Sequence, residues 1–183
     1  MHEFTIGPLG EWNGTAKVIV KTGSIFGESA DVICLTVSST LEHSPSIWKS
    51  LTTQAGPREY KKAFKTAKEG SQYLGHGDIL VVDTSKTKLS AKFVFLVVYP
   101  DIHHLDKAYR AIFREAAARK CTSVVIPGLG CGLFFFCLFS CRIVYSYFLD
   151  FWKGCASNQT YVLNSSLVLI VSGSLSFIFF SHT

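Results

Sequence analysis

Apolar and polar positions along the first 130 residues follow two periods in turn. Five runs read as strands: Ala16–Val20, Asp31–Val37, Asp78–Asp83, Lys92–Val98 and Thr122–Pro127, all rich in Val, Ile or Phe. The second, fourth and fifth are nearly continuous apolar runs, the pattern of strands covered on both faces. Between the strands the period lengthens to that of a helix. Leu105, Ala108, Tyr109, Ile112, Phe113 and Ala116 recur at i, i+3, i+4 spacing within Leu105–Lys120, with Asp106 near the start and Arg119 and Lys120 at the end, where they suit the helix dipole. Ser46–Ala55 and Pro57–Lys68 form a weaker helical pair that breaks at Gly56-Pro57, with Pro57 suited to the first position of the second helix. This alternation predicts a three-layer α/β/α domain with a mostly parallel, mixed central sheet.

The fifth strand run leads directly into Gly128-Leu-Gly-Cys-Gly132, with glycine at every second position. Glycines allow positive φ and let several backbone N–H groups converge on one point, which makes an anion cradle; a tight turn after a strand is the plainer alternative. Ligands of open α/β sheets bind beyond the carboxyl ends of the strands, and this loop follows such an end.

The order of these motifs resembles that of a macro domain, an ADP-ribose-binding module, over residues 17–136. Gly23-Ser24-Ile25 stands at the family's Gly-Asp-Ile, and Ala30-Asp31-Val32-Ile33-Cys34 at the apolar strand that follows it. Leu35-Thr36-Val37-Ser38 takes the place of Asn-Ala-Ala-Asn, and Ser44-Pro45-Ser46-Ile47 that of a glycine triplet followed by Val. Ala55-Gly56-Pro57 matches the helix turn, Lys92–Val98 the central strand, and Ile126–Gly132 the second phosphate loop. The resemblance implies a ligand site made of Ser24, Ile25, Ser38, Ile47, Gly128, Leu129, Gly130, Cys131, Gly132, Leu133 and Phe134, taking ADP-ribose or a mono-ADP-ribosylated protein, with no cofactor and no metal. It further implies that Phe134 packs on the distal ribose, although Phe134-Phe-Phe136 also reads as the start of an apolar core or tail segment. The departures weaken the implied site. Ser24 lacks the charge of the family's Asp, Ser38 replaces the Asn that holds the distal ribose and water, and Pro45 removes a backbone donor where the glycine triplet would wrap the pyrophosphate. The expected function is therefore weak binding by a degenerate module. An ADP-ribosyl hydrolase is the enzymatic alternative, and a non-functional isoform or membrane-anchored fragment is the third.

Composition changes after the glycine loop: residues 1–131 hold 16 of the 18 Lys and Arg and 12 of the 13 Asp and Glu. The expected division is an incomplete macro-like domain over 1–136, without the usual C-terminal elements, and an apolar tail over 137–183. In the tail, 161–180 holds twelve Val, Leu, Ile and Phe residues, which favour insertion at a membrane centre by roughly 4–7 kcal/mol, but five serines, Asn164 and Gly173 oppose it. Membrane insertion, a β-rich replacement of the missing terminal strand, and no stable structure all stay open for this segment, with the membrane not favoured.

The net charge of +5 suits an anionic ligand, yet Lys61, Lys62, Lys65, Lys68, Lys86, Lys88 and Lys92 read as a solvated basic surface rather than a nucleic-acid patch. The six cysteines form no C-x-x-C pair, and Cys34 and Cys121 fall in apolar strand patterns, which favours a reducing intracellular compartment, nucleus or cytoplasm. Met1-His-Glu-Phe-Thr has no signal-peptide pattern. His43, His103 and His104 read as solvated loop residues, since no carboxylate or second ligand stands at a spacing that would orient them.

Overall fold

The computed structural model describes residues 2–6, 16–21, 24–71, 73–100, 103–127, 129, 168–170 and 177–180. The described strands are β1 (His2–Ile6), β2 (Ala16–Lys21), β3 (Val32–Val37), β4 (Ile79–Asp83), β5 (Phe93–Val98), β6 (Val124–Ile126), β7 (Val168–Ile170) and β8 (Phe177–Phe180). The described helices are α1 (Pro45–Ala55), α2 (Pro57–Glu69) and α3 (Leu105–Ala118), with a 3-10 turn at Ile25–Gly27. The five expected strands and three expected helices all form, each within two residues of its sequence limits.

The strands make one sheet in the order β1-β2-β8-β6-β3-β5-β4, with β7 beside β2. Its centre is parallel, β3 pairing with β5 and with β6, while β4 and β8 run antiparallel to their neighbours. Strand β8 lies between β2 and β6, so part of the 137–183 segment takes a sheet position. Among the described residues no helix is long and apolar enough to cross a membrane.

Alternation along the central strands divides the core into two faces. Ile33, Leu35, Val37, Leu80, Val82, Val94, Leu96, Val98 and Val125 pack in one cluster with Leu51 and Ala55 of α1 and Tyr60 of α2. The intervening Val32, Cys34, Phe95, Val97, Val124 and Ile126 are as fully buried and belong to the opposite face. On that side α3 buries Ala108, Tyr109, Ile112, Phe113 and Ala116, and the guanidinium of Arg119, just past its end, lies 5.8 Å from the Phe93 ring. Three layers result, because an almost wholly apolar central strand must be covered twice.

Two glycines hold positions that other residues would strain. Gly56, between α1 and α2, has φ +86°, and Pro57 then opens α2 with its φ already helical. Gly77, before β4, has φ +77°, and a Cβ there would stand 3.0 Å from the carbonyl oxygen of His104.

Asp31 ties the amino ends of the three parallel strands together. Its Oδ2 accepts from the Thr122 amide and hydroxyl, both at 2.7 Å, and its Oδ1 lies 2.7 Å from Lys92 Nζ. Its own N–H donates to Ser123 Oγ, and its carbonyl accepts from the amides of Lys92 and Phe93. Burial pushes the carboxyl up, but the Lys92 ammonium and the two Thr122 donors outweigh this and hold it below its ordinary value.

Candidate ligand site

Chain direction alone brings the described residues of the expected site to one place. Strands β3, β5 and β6 are parallel, and β2 and β6 both run antiparallel to β8, so β2, β6, β3 and β5 present their carboxyl ends at a single edge. The segment holding Ser24 and Ile25 leaves β2 there, Ser38 leaves β3, Tyr99 leaves β5, and Pro127 leads from β6 to Leu129. Ile47 sits in the first turn of α1, which starts eight residues after the end of β3. The edge therefore carries Ser24, Ile25, Ser38, Ile47 and Leu129. Gly128, Gly130, Cys131, Gly132, Leu133 and Phe134 lie outside the described residues.

These five residues divide into wall and mouth. Ile25 is buried in the α1–α2 core cluster, with Phe26, Ile47 and Trp48 packed against it, and Leu129 is fully buried. Ser24 is exposed and precedes the 3-10 turn, its carbonyl accepting from Gly27 at 3.0 Å while its side chain makes no capping bond.

Ser38 is drawn into its own turn. Its Oγ accepts from the Glu42 amide at 3.0 Å and lies 2.8 Å from Thr40 Oγ1, and its backbone exchanges hydrogen bonds with Leu41 and Glu42. Leu41 closes this turn at φ +64°, an uncommon angle for a residue with a branched side chain, held by burial of that side chain. A hydroxyl offers one donor and two acceptor sites, and two of these three are taken before any ligand arrives. The following segment is similarly occupied. Ser44 is the N-cap of α1, its Oγ accepting from the Ile47 amide at 3.4 Å with Ser46 Oγ 3.3 Å away, and Pro45 fills the first helical position. Where a glycine triplet would leave free amides, this chain has a capped helix start.

Beyond β3 the edge continues with groups that the sequence reading did not select. Tyr99, 52% exposed, follows β5 and donates its amide to the Val37 carbonyl. His76 Nδ1 is the donor to the Tyr99 carbonyl at 2.6 Å, since a carbonyl only accepts, and the His76 ring stands 5.8 Å from that of His104. Lys107 Nζ bonds the His76 carbonyl and pairs with Asp78 at 2.8 Å. Burial raises the Asp78 carboxyl, and the bonds from Lys107 and the Gly75 amide together more than reverse this. The strand reading started β4 one residue early, at Asp78; what it lacked was the antiparallel pairing that brings 75–78 beside Tyr99.

His43 corrects an expectation. It is not solvated: its ring packs 5.2 Å from Trp48, 5.6 Å from Phe64 and 6.3 Å from Tyr60, and both ring nitrogens are buried without a partner among the described residues. Burial drives its pKa down to about 4, so the ring is neutral near pH 7 and acts as an aromatic filler between α1 and α2. His103 is exposed and His104 partly so at the start of α3. Among the described residues no group of three or more His, Cys, Asp or Glu is placed to hold a metal ion.

This arrangement can be set against known proteins. Backbone similarity is found to the Oceanobacillus iheyensis macrodomain with MES bound, at 16% identity over 84% of each chain with a TM-score of 0.62. A variant of that macrodomain with ADPR aligns at 17% identity over 72% of this chain and 76% of the other, TM-score 0.58. The Trypanosoma brucei macrodomain in complex with ADP-ribose aligns at 18% identity over 74% of this chain and 58% of the other, TM-score 0.59. At these identities the likeness establishes the fold. No curated protein matches the chain in sequence. The family model for the macro domain matches residues 36–142, more than half of the chain, from the last two residues of β3 through α1, α2, β4, β5, α3 and β6; the chain therefore belongs to the macro-domain family.

Proposed function

We propose that this chain is a binding module that takes ADP-ribose, free or attached to a protein, at the carboxyl edge of its sheet, with low affinity. The observation that carries this reading is the convergence of Ser24, Ser38, the start of α1 and Leu129 on that one edge. Similar folds bound to ADPR, ADP and ADP-ribose support the ligand class. Gly128, Gly130 and Gly132 supply the phosphate cradle in this proposal, with Cys131 and Leu133 among the ligand-binding residues and Phe134 against the distal ribose. Low affinity follows from Ser24 in place of a carboxylate, from the Ser38 hydroxyl held by Glu42 and Thr40, and from the Ser44 cap with Pro45 behind it. Losing several bonds worth about 1–3 kcal/mol each moves a micromolar site toward millimolar.

Hydrolysis is disfavoured by the same geometry, because orienting a water against the ribose needs a fixed polar group free to hold it. We place the module in the nucleus or cytoplasm, a reading that the two buried free thiols, Cys34 and Cys121, suit. We also divide the chain into an incomplete macro-like unit over 1–136 and a tail over 137–183 that contributes β8 to its sheet. The test is incubation of a mono-ADP-ribosylated protein with the chain, followed by capture and quantification of label. Weak, ADP-ribose-competed capture with the label retained is the expected result. Release of the label would make it a hydrolase, and capture that ADP-ribose does not compete would remove the proposed site.

A further inference from the structure

Helix α2 separates its residues by charge. Tyr60, Ala63, Phe64 and Ala67 face the core, and Arg58, Lys61, Lys62, Lys65 and Lys68 recur at i, i+3, i+4, i+7 and i+10 on the exposed side. The loop after β4 is fastened to the junction of α1 and α2 by the Lys88 amide, which donates to the Ala55 carbonyl at 3.0 Å, and this loop adds Lys86 and Lys88. Opposing them on these two segments are Glu59 and Glu69 alone, with Asp83 at the rim. Glu59 is folded back over Gly56 at the start of α2, where the helix dipole favours it, and Glu69 pairs with Lys65 at the far end, 3.7 Å away. The seven cations and two carboxylates leave eleven of each sign in the rest of the chain, so the whole net charge of +5 is gathered on this face.

Against the sequence expectation of a merely solvated basic surface, we propose that the exposed face of α2, with the Lys86–Lys88 loop, is a docking surface for the phosphate backbone of duplex DNA, separate from the ligand edge. Charge complementarity supplies the attraction, and the helix supplies the form: cations about 5 Å apart along one stripe, on an element that a major groove about 12 Å wide admits. The narrow major groove of an A-form RNA duplex does not admit it. The stripe holds no Asn or Gln to read bases, and Tyr60 and Phe64 are turned into the core, so α2 itself offers no stacking platform for single strands. Binding is therefore backbone-directed and independent of sequence, and its strength is set by salt. With four to five phosphates neutralised, affinity falls with salt at a log–log slope of about −4, a loss of roughly 150- to 500-fold between 50 and 200 mM.

The test is fluorescence anisotropy of a labelled 16-base-pair DNA duplex with the full 183-residue chain at 50, 100 and 200 mM salt. Micromolar affinity at 50 mM, the slope given above, weaker binding of single-stranded DNA and duplex RNA, and no competition by millimolar ADP-ribose are expected. Lys61→Glu with Lys65→Glu weakens binding at least about tenfold, while Arg114→Gln on α3 leaves it unchanged. Lys62→Gln with Lys68→Gln serves as the second variant, and thermal unfolding confirms that both fold. Absence of binding at 50 mM, a slope shallower than about −2, equal affinity for single strands or duplex RNA, competition by ADP-ribose, or unchanged affinity in the α2 variants would overturn the proposal.

Discussion

Replacing Asp31 by Asn tests how the parallel centre of the sheet is held. The carboxylate is only slightly exposed, and Thr122 gives it two hydrogen bonds at 2.7 Å, so those bonds are charge-assisted and shielded. A bond to a charged acceptor contributes about 1.5–3 kcal/mol and a neutral one about 0.5–1.5, so neutralising the acceptor costs about 1 kcal/mol per Thr122 bond. The Lys92 pair adds less, because the lysine is 64% exposed and such pairs contribute about 0–1 kcal/mol. Asp31→Asn should then cost about 2–3 kcal/mol, and Lys92→Met under about 1 kcal/mol. In a chain of this size the first corresponds to a fall in Tm of about 4–12 °C. The carboxyl is held below its ordinary value of 3.8 in the folded state, so its contribution is complete above that pH and is lost as pH falls through the lowered value. The gap between wild type and Asp31→Asn should accordingly close in strong acid. Calorimetric unfolding of the three proteins at pH 7 and through the acid range is the assay. Equal losses in Lys92→Met and Asp31→Asn, or a gap that persists unchanged in strong acid, would refute the reasoning.

Other consequences follow from the same packing. His43 binds its proton in the unfolded chain near pH 6.5 and in the folded chain only near 4, so stability should fall as pH drops below 6.5, by about 1–2 kcal/mol at pH 5, and His43→Phe should flatten that stretch of a denaturation profile. Gly77→Ala should lower stability by about 1–3 kcal/mol, read from the denaturant midpoint, because its φ is positive and its Cβ would crowd the His104 carbonyl. Ending the chain at residue 136 removes β8 from between β2 and β6, and the shortened chain should lose its cooperative thermal transition; retention of that transition would show that β8 adds nothing to the domain.

The central strands and α3 were legible in the sequence because burial on both faces, or on one helical stripe, leaves a periodic apolar signature within a single segment. Strands β1, β7 and β8 were not. They are three to five residues long, and β8 sits among Phe and Ser residues whose pattern fits a membrane segment or a strand equally well. The site residues on one edge followed from strand direction once the alternation was read. What the Ser38 hydroxyl does did not follow, because it depends on a turn closed by Leu41 at positive φ, an angle the sequence gives no reason to expect of leucine. His43 was misplaced for a related reason: a loop histidine looks solvated until Trp48, Tyr60 and Phe64 from two separate helices close around it. Pairing that spans elements leaves no local mark on the chain.

Isothermal titration of the full chain with ADP-ribose bears most directly on the proposed function. A saturable, enthalpically detectable site with a Kd of about 0.1 mM to several mM, displaced by ADP, is the expected result. A sub-micromolar Kd would contradict the reading of Ser24, Ser38 and the Ser44–Pro45 cap as losses, and no binding at about 10 mM ligand would contradict the assignment of the carboxyl edge as an ADP-ribose site.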